Sequence, residues 1–217
     1  MKKGIIAIIV VVIIGIIFYS FFKGFYNTAI TLKEDATAQW GNVESAYQRR
    51  ADLIPNIVNT AKGYAEFEQK TLTDVIEARS KATSVNIDPA NISPEQLAQF
   101  QQAQSGVSSA LSRLLVTVER YPDLKANENF KELINELERT ENRINVERNR
   151  YNDAIRPYNK HIKTFPNNIV NNFIGNFEEL TYFESNDAAK NINAIDTDTP
   201  NNQAPHRKSE RYGGYVR

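Results

Sequence analysis

A chain of 217 residues that is 41% apolar, 24% charged and 10% aromatic has an ordinary globular composition and enough length for one packed domain or two small ones. It contains no cysteine, which excludes disulfide frameworks, zinc–thiolate sites, iron–sulfur clusters and thiol nucleophiles together; two histidines, His161 and His206, are the few candidates for a metal site or a near-neutral general base. Basic and acidic residues balance at 26 each, but Lys2, Lys3 and Lys23 flank a single apolar stretch, so the remainder is mildly acidic and lacks the basic face that nucleic-acid binding requires.

That stretch begins at Ile5, ends at Phe22 and reads IIAIIVVVIIGIIFYSFF, with no charge between Lys3 and Lys23. As a helix it would be roughly 27 Å long, close to the ~30 Å hydrocarbon core of a bilayer, and it predicts a membrane anchor over residues 1–23. A cleaved signal peptide would carry a shorter apolar region and a small-x-small site, whereas this run ends in Phe18, Tyr19, Phe21 and Phe22, which suit an interfacial aromatic belt. Lys2, Lys3 and the terminal amine precede the span and only Lys23 and Lys33 follow closely. The positive-inside rule therefore leans towards an N-terminus inside and a domain outside.

Beyond the span, Phe25, Ala29, Leu32, Ala36, Trp40, Val43, Tyr47, Ala51 and Ile54 recur at steps of three and four, one face of a helix that continues the anchor. Pro55 lacks a backbone donor and predicts a kink or a restart there. A second stripe runs through Val58, Ala61, Ala65, Leu72, Val75 and Ile76 until Asn86, Pro89 and Asn91 break it. Ser93-Pro94-Glu95-Gln96 has the pattern of a capping box with proline at the first helical position, and starts a third stripe through Leu97, Phe100, Val107, Leu111, Leu114 and Val118.

The longest pattern is Phe130, Ile134, Leu137, Glu141, Ile144, Arg148, Tyr151, Ile155, Tyr158, Ile162 and Phe165, alternating steps of four and three. A sustained 3.5-residue repeat predicts a seam packed on other helices with a left-handed, coiled-coil-like twist. Pro157 predicts a kink near its end. Four amphipathic helices with short connections predict an all-α, antiparallel up-and-down four-helix bundle over residues 24–184.

Residues 167–184 carry Ile169, Val170, Phe173, Ile174, Phe177, Leu180 and Phe183 on a partly helical period. They either cap the open end of the bundle or form an interfacial helix, although Glu178 and Glu179 stand where an interfacial helix usually has basic residues. Residues 185–217 are rich in Asn, Asp, Thr and Pro and read as a disordered tail, with His206-Arg207-Lys208 either solvated or in electrostatic contact with a partner.

Catalytic patterns are missing. A di-metal bundle needs Glu-x-x-His, yet Tyr158 stands three residues before His161, and no phosphate-binding glycine loop or nucleophile elbow occurs. No cofactor or metal is expected. Ser105-Gly106 and Ser108-Ser109 read as small residues that let helices approach. The polar residues worth weighing are Arg49, Arg50 and Asp52 before Pro55, and Glu141, Arg143, Arg148 and Asp153 on the last helix. Glu141 and Arg148 lie on the seam, where an unpaired charge is expensive to desolvate, so they are expected to pair and set the register; a ligand or partner site is the alternative. In the string from Tyr121 to Phe130, Pro122 is expected to end the third helix and Asn127 to cap the next, with Asp123 and Asn127 kept as candidates for a recognition surface.

Several strings taken together resemble one family: Arg49-Arg50-Ala51-Asp52-Leu53-Ile54-Pro55-Asn56, Lys62-Gly63-Tyr64, Glu77-Ala78-Arg79, the ten residues YPDLKANENF from Tyr121, Glu141-Asn142-Arg143-Ile144, Arg150-Tyr151-Asn152-Asp153, Tyr158-Asn159 and Tyr182-Phe183-Glu184. In this order they resemble the bacterial LemA family. The resemblance implies a membrane-anchored antiparallel helical bundle and no established enzymatic activity, cofactor or substrate. The expected function is a non-enzymatic single-pass protein of the bacterial inner membrane that serves as a scaffold or adaptor for protein partners. The alternative is a lipid-surface or membrane-remodelling protein using the segment from Ile169 to Phe183.

Overall fold

The computed structural model describes residues 2–64, 67–89, 91–175 and 177–184. Ala65 of the second stripe and the expected tail over 185–217, with His206, lie outside the described residues.

The fold is all-α among the described residues, as the periodicities require: α1 (Lys2–Lys62), α2 (Gln69–Thr83), α3 (Pro94–Val118), α4 (Pro122–Ala126), α5 (Glu128–Lys163) and α6 (Asn167–Val170), then a π-helical turn, Asn171–Gly175. The first third of α1 is built from β-branched Ile and Val, which are mediocre helix formers in water. In hydrocarbon the backbone must satisfy its own hydrogen bonds, and a helix does so within one segment. Residues 3–21 are exposed throughout, so among the described residues nothing is packed over this part of α1.

From Phe25 onward α1 becomes one wall of a bundle. It runs antiparallel to α5, since Phe25 meets His161, Gln39 meets Glu147 and Arg49 meets Glu136. It runs parallel to α3, with Trp40 on Phe100 and Arg50 on Ser108, while α2 crosses back between them. Two apolar clusters fill the interior. The cluster near the span gathers Trp40, Val43, Tyr47, Leu97, Phe100, Tyr151, Ile155 and Tyr158; the distal one gathers Ile54, Val58, Leu72, Leu111, Leu114, Leu124, Phe130 and Leu137.

The local start signals act as their chemistry predicts. Gln96 N–H donates to Ser93 Oγ (3.2 Å) and Ser93 N–H to the Gln96 side-chain oxygen (3.1 Å), closing the capping box. Asn127 Oδ1 accepts from Phe130 N–H at 2.9 Å and starts α5, while Pro122 opens the short α4. Leu124 and Phe130 are buried under this turn, and Tyr121 packs on Phe67.

Other expectations need correction. Helix α1 does not restart at Pro55: Val58 and Ala61 belong to it, the break comes at residues 63–68, and α2 begins only at Gln69. The reason is a substitute donor. Proline cannot donate to the carbonyl four residues back, Ala51, and Arg79 Nε of α2 donates to that oxygen instead, at 2.6 Å. Helix α5 runs unbroken through Pro157 to Lys163, which is compatible with the kink expected there. Ile76 is exposed, the buried face of α2 being Leu72, Val75 and Ala82. Phe165 leaves the seam because α5 has ended before it, and is 76% exposed. Gly106 faces open space, so it does not mark a close helix approach. Helical structure after Pro166 stops at Gly175, and residues 177–184 are non-helical.

The Arg79–Ala51 contact is testable as a cycle. Arg79→Met should cost about 1–3 kcal/mol by urea denaturation, the range for an orphaned carbonyl. Pro55→Ala, which restores the intrahelical donor, should recover part of that loss in the Arg79→Met background; equal effects of Arg79→Met with and without Pro55 would contradict the substitute-donor account.

Candidate functional site

Between the two apolar clusters lies a polar layer centred on Arg50, which is 2% exposed. Its guanidinium donates from Nη1 to Ser108 Oγ (2.9 Å) and Glu141 Oε1 (2.8 Å), and from Nη2 to the Gln104 backbone (3.2 Å) and side-chain oxygens, while lying over the Tyr47 ring. These contacts join α1, α3 and α5 at one level, so the charge is buried with its hydrogen-bonding capacity engaged. Beside it in the chain, Arg49 donates to Glu136 at 2.9 Å, and hydrogen bonds from Arg49 and then Arg139 hold the Glu136 carboxyl below its ordinary value.

A cavity of about 90 Å³ borders this layer, lined by Tyr47, Arg50, Arg79, Phe100 and Gln104 among others. Small-molecule sites run from about 300 Å³ upward, so it has room for a few waters and not for an organic ligand. Among the described residues no three His, Asp or Glu side chains gather where they could hold a metal.

The second polar arrangement is a ladder of asparagines. Asn159 Nδ2 donates to Leu180 O (2.8 Å) and Oδ1 accepts from Leu180 N–H (2.9 Å); Asn152 treats Phe183 in the same way (3.0 and 2.8 Å), and Asn171 does so for Phe177 (2.9 and 2.9 Å). A carboxamide can donate and accept at once, so each asparagine supplies the pair of bonds that a neighbouring strand would give. Asn152 and Asn159 are about 10.5 Å apart along α5, and the residues they grip are three apart, a rise of about 3.5 Å per residue. Residues 177–184 are therefore an extended strap running antiparallel to α5. Tyr158 Oη adds a bond to Glu178 O at 2.9 Å. Phe183 stacks on Trp40 (5.6 Å, 3° between planes), Leu180 is buried beside it, and Arg148 lies over the Phe183 ring while reaching Gln101.

The family model described as LemA family matches residues 39–196, which include the Arg50 layer, the asparagines and the strap. The chain belongs to the LemA family. It is 29% identical over 180 residues to the magnetosome protein MamQ 2 of Paramagnetospirillum magneticum, covering 75% of this chain and 66% of that protein, and 27% identical with the same coverage to MamQ of Magnetospirillum gryphiswaldense. The chain thus spans just under two thirds of the length of these MamQ relatives. It is 26% identical over 183 residues to protein LemA of Metamycoplasma hominis, covering 84% of this chain and 78% of that one. None of these names denotes an enzyme. LemA-family membership and the exposed apolar start of α1 together mark a membrane-associated protein.

On this LemA-family fold the residues singled out from the sequence do not converge on one site. Arg50 and Glu141 meet across the bundle; Arg143 joins Glu147 at 3.8 Å; Asp52 and Asp153 are exposed, bound to Gln48 and Arg156. Asp123 is exposed at the distal end, where Tyr64 Oη reaches its backbone oxygen, and Asn127 is the cap. Sequence reasoning missed Glu147, which is buried and bound by Gln39 (2.9 Å) and Arg150 (3.0 Å), and it missed the asparagine ladder. A signal for the ladder existed: Tyr151-Asn152 and Tyr158-Asn159 repeat seven residues apart, placing both asparagines beside the seam.

Tyr151 and Tyr158 make a contrast, because the Tyr151 hydroxyl is buried with no hydrogen-bond partner among the described residues. Tyr151→Phe should leave stability unchanged or raise it by up to ~1 kcal/mol, whereas Asn159→Ala, which orphans both backbone groups of Leu180, should cost about 2–4 kcal/mol in urea denaturation. A neutral Asn159→Ala would show that the strap is not held by the ladder.

Burial pushes the Tyr151 and Tyr47 hydroxyls up, and burial with the nearby Glu178 charge pushes Tyr158 up to about 12 from the ordinary 10.0. A folded-state value above the unfolded one stabilises the fold fully below the unfolded value and ceases to do so as pH rises through the folded one. The urea midpoint should therefore hold up to about pH 10 and fall towards pH 12, with these tyrosines ionising only on unfolding as followed by tyrosinate absorbance.

Proposed function

We propose that this protein is a non-enzymatic, single-pass protein of the bacterial inner membrane whose bundle, held outside the cytoplasm, is a scaffold for protein partners. The observation that carries this reading is the unbroken helix α1, Lys2–Lys62, whose exposed apolar start passes into a core-lining face without a loop. A helix continuous across that boundary couples the position of the bundle to the bilayer, which suits a display platform. The interior supports the same reading: each buried charge has its own partner, Arg50 with Glu141 and Glu147 with Arg150, and the cavity beside Arg50 is too small for a substrate. A membrane-remodelling protein built on an amphipathic helix over residues 169–183 has less support, because the helix ends at Gly175 and Leu180 and Phe183 are buried in the bundle.

The test uses the full-length protein in its own membrane. Alkaline carbonate should leave it in the membrane fraction, and protease added from outside should digest the bundle. Photo-crosslinking from the exposed Val116 or Val146 should recover the same protein species in repeated captures. Release by carbonate would refute the membrane-spanning reading, and retention with crosslinks to lipid alone would refute the scaffold reading.

A further inference from the structure

The end of the bundle nearest the span is chemically unlike the rest of the chain. Between Lys163 and Glu178 there is no charged residue, in a protein that is 24% charged overall; the segment is made of Asn, Thr, Pro, Gly and apolar residues. Its placement follows from the contacts at either side. His161 stacks on Phe25 at 5.0 Å and its Nε2–H donates to the Phe25 carbonyl (3.1 Å), and Phe177 packs on both Phe25 and Tyr26. The chain thus leaves α5 and returns to the strap at the level of Phe25, and turns at the end of the bundle from which the apolar span emerges. Val170 is buried against the fold, whereas Phe173 is 79% exposed, Phe165 76% and Ile169 47%.

Phe25 lies three residues, about 4.5 Å along the helix, beyond the end of the apolar run at Phe22. The headgroup region on each side of a bilayer is about 5–7 Å deep. Resting on the membrane-spanning reading given above, we infer that this uncharged tip is a second membrane contact: Phe165, Ile169 and Phe173 seat in the interfacial layer of the same bilayer that α1 crosses. The occupant of this apolar surface is lipid, because Phe177 at the end of the uncharged segment packs on Tyr26, one turn beyond the end of the apolar run with its aromatic residues Phe18, Tyr19, Phe21 and Phe22. Asparagine and aromatic side chains suit that layer, where polar backbone and headgroups coexist with acyl chains. Exposed Lys23 and Lys160 border the tip where anionic headgroups would lie, and Lys163 is paired with Glu179. Two contacts separated laterally, the span and the tip, fix the tilt and rotation of the bundle, which one helix alone would leave free.

The absence of cysteine allows single-site labelling of the full-length protein, reconstituted in vesicles of phosphatidylethanolamine and phosphatidylglycerol. Ile14→Cys in the span, Phe173→Cys and Phe165→Cys at the tip, and Val116→Cys at the distal end are each labelled with a small fluorophore. Quenching is compared between lipids carrying a nitroxide just below the headgroup and lipids carrying it deep in the chain. The expected ratio of shallow to deep quenching is above one at Phe173→Cys and Phe165→Cys and below one at Ile14→Cys, with neither quencher acting at Val116→Cys. All four positions are exposed, so the variants should keep the parent's circular dichroism and melting. No quenching at Ile14→Cys would overturn the membrane-spanning reading itself. Quenching at Ile14→Cys but not at the tip would overturn the seat while leaving the anchor intact, and tip labels shielded from water without lipid quenching would show a second copy covering the surface, which also overturns it.

Discussion

One helix carries both an apolar surface exposed on every side and a stripe that lines the core, and the rest of the structure depends on that continuity. In its first third α1 satisfies its backbone internally and presents apolar side chains on every side; after Phe25 the same helix confines them to one stripe and buries it. Helices α3 and α5 and the strap are laid against that stripe, so the axis of the anchor is also the axis of the bundle. Pro55 interrupts the hydrogen-bond ladder of this axis, and the interruption becomes a link because Arg79 of α2 takes the vacated carbonyl.

Length explains why the bundle needs a strap. Helix α5 has 36 residues, about 54 Å, and α2 has only 15, about 22 Å. The fourth corner is therefore helical only at the distal end. At the end nearest the apolar run it is closed by Ile87 and Ile92 of the α2–α3 connection, with Leu180 and Phe183 of the strap packing into the same cluster. An extended chain brings unpaired backbone groups with it, and burying them unpaired would oppose folding. Asn152, Asn159 and Asn171 remove that penalty.

Polar groups inside the bundle are placed where they separate and register the two apolar clusters. Arg50 with Ser108, Gln104 and Glu141 ties three helices at one height, and Glu147 with Gln39 and Arg150 ties α5 to α1 about two turns nearer the apolar run. An axial slip of α5 by one turn would take Glu141 from the buried Arg50 and Glu147 from Gln39, a larger cost than the slip would recover by repacking. The charges therefore discriminate between registers more than they stabilise the chosen one.

The sequence by itself determined the helices, because a 3.6-residue apolar period, a capping box at Ser93 and an asparagine cap at Asn127 act within a few residues of themselves. It also determined an N-terminal helix long and apolar enough to cross a bilayer, which depends only on local composition and length, and the LemA-family membership, carried by strings such as YPDLKANENF. Tertiary structure alone decided three things. Whether Pro55 would break α1 depended on Arg79, 24 positions further on. Which charges would meet depended on the antiparallel register, so Glu147 gave no sign of burial while Asp153 gave none of exposure. Residues 177–184 cover the bundle, one of the two alternatives open from the sequence, but their extended form was hidden because Phe177, Leu180 and Phe183 fall three apart, a spacing that also fits a helix. In an extended chain the same spacing matches the distance between two asparagines seven apart on α5, and the choice rests on partners that only the folded chain brings together.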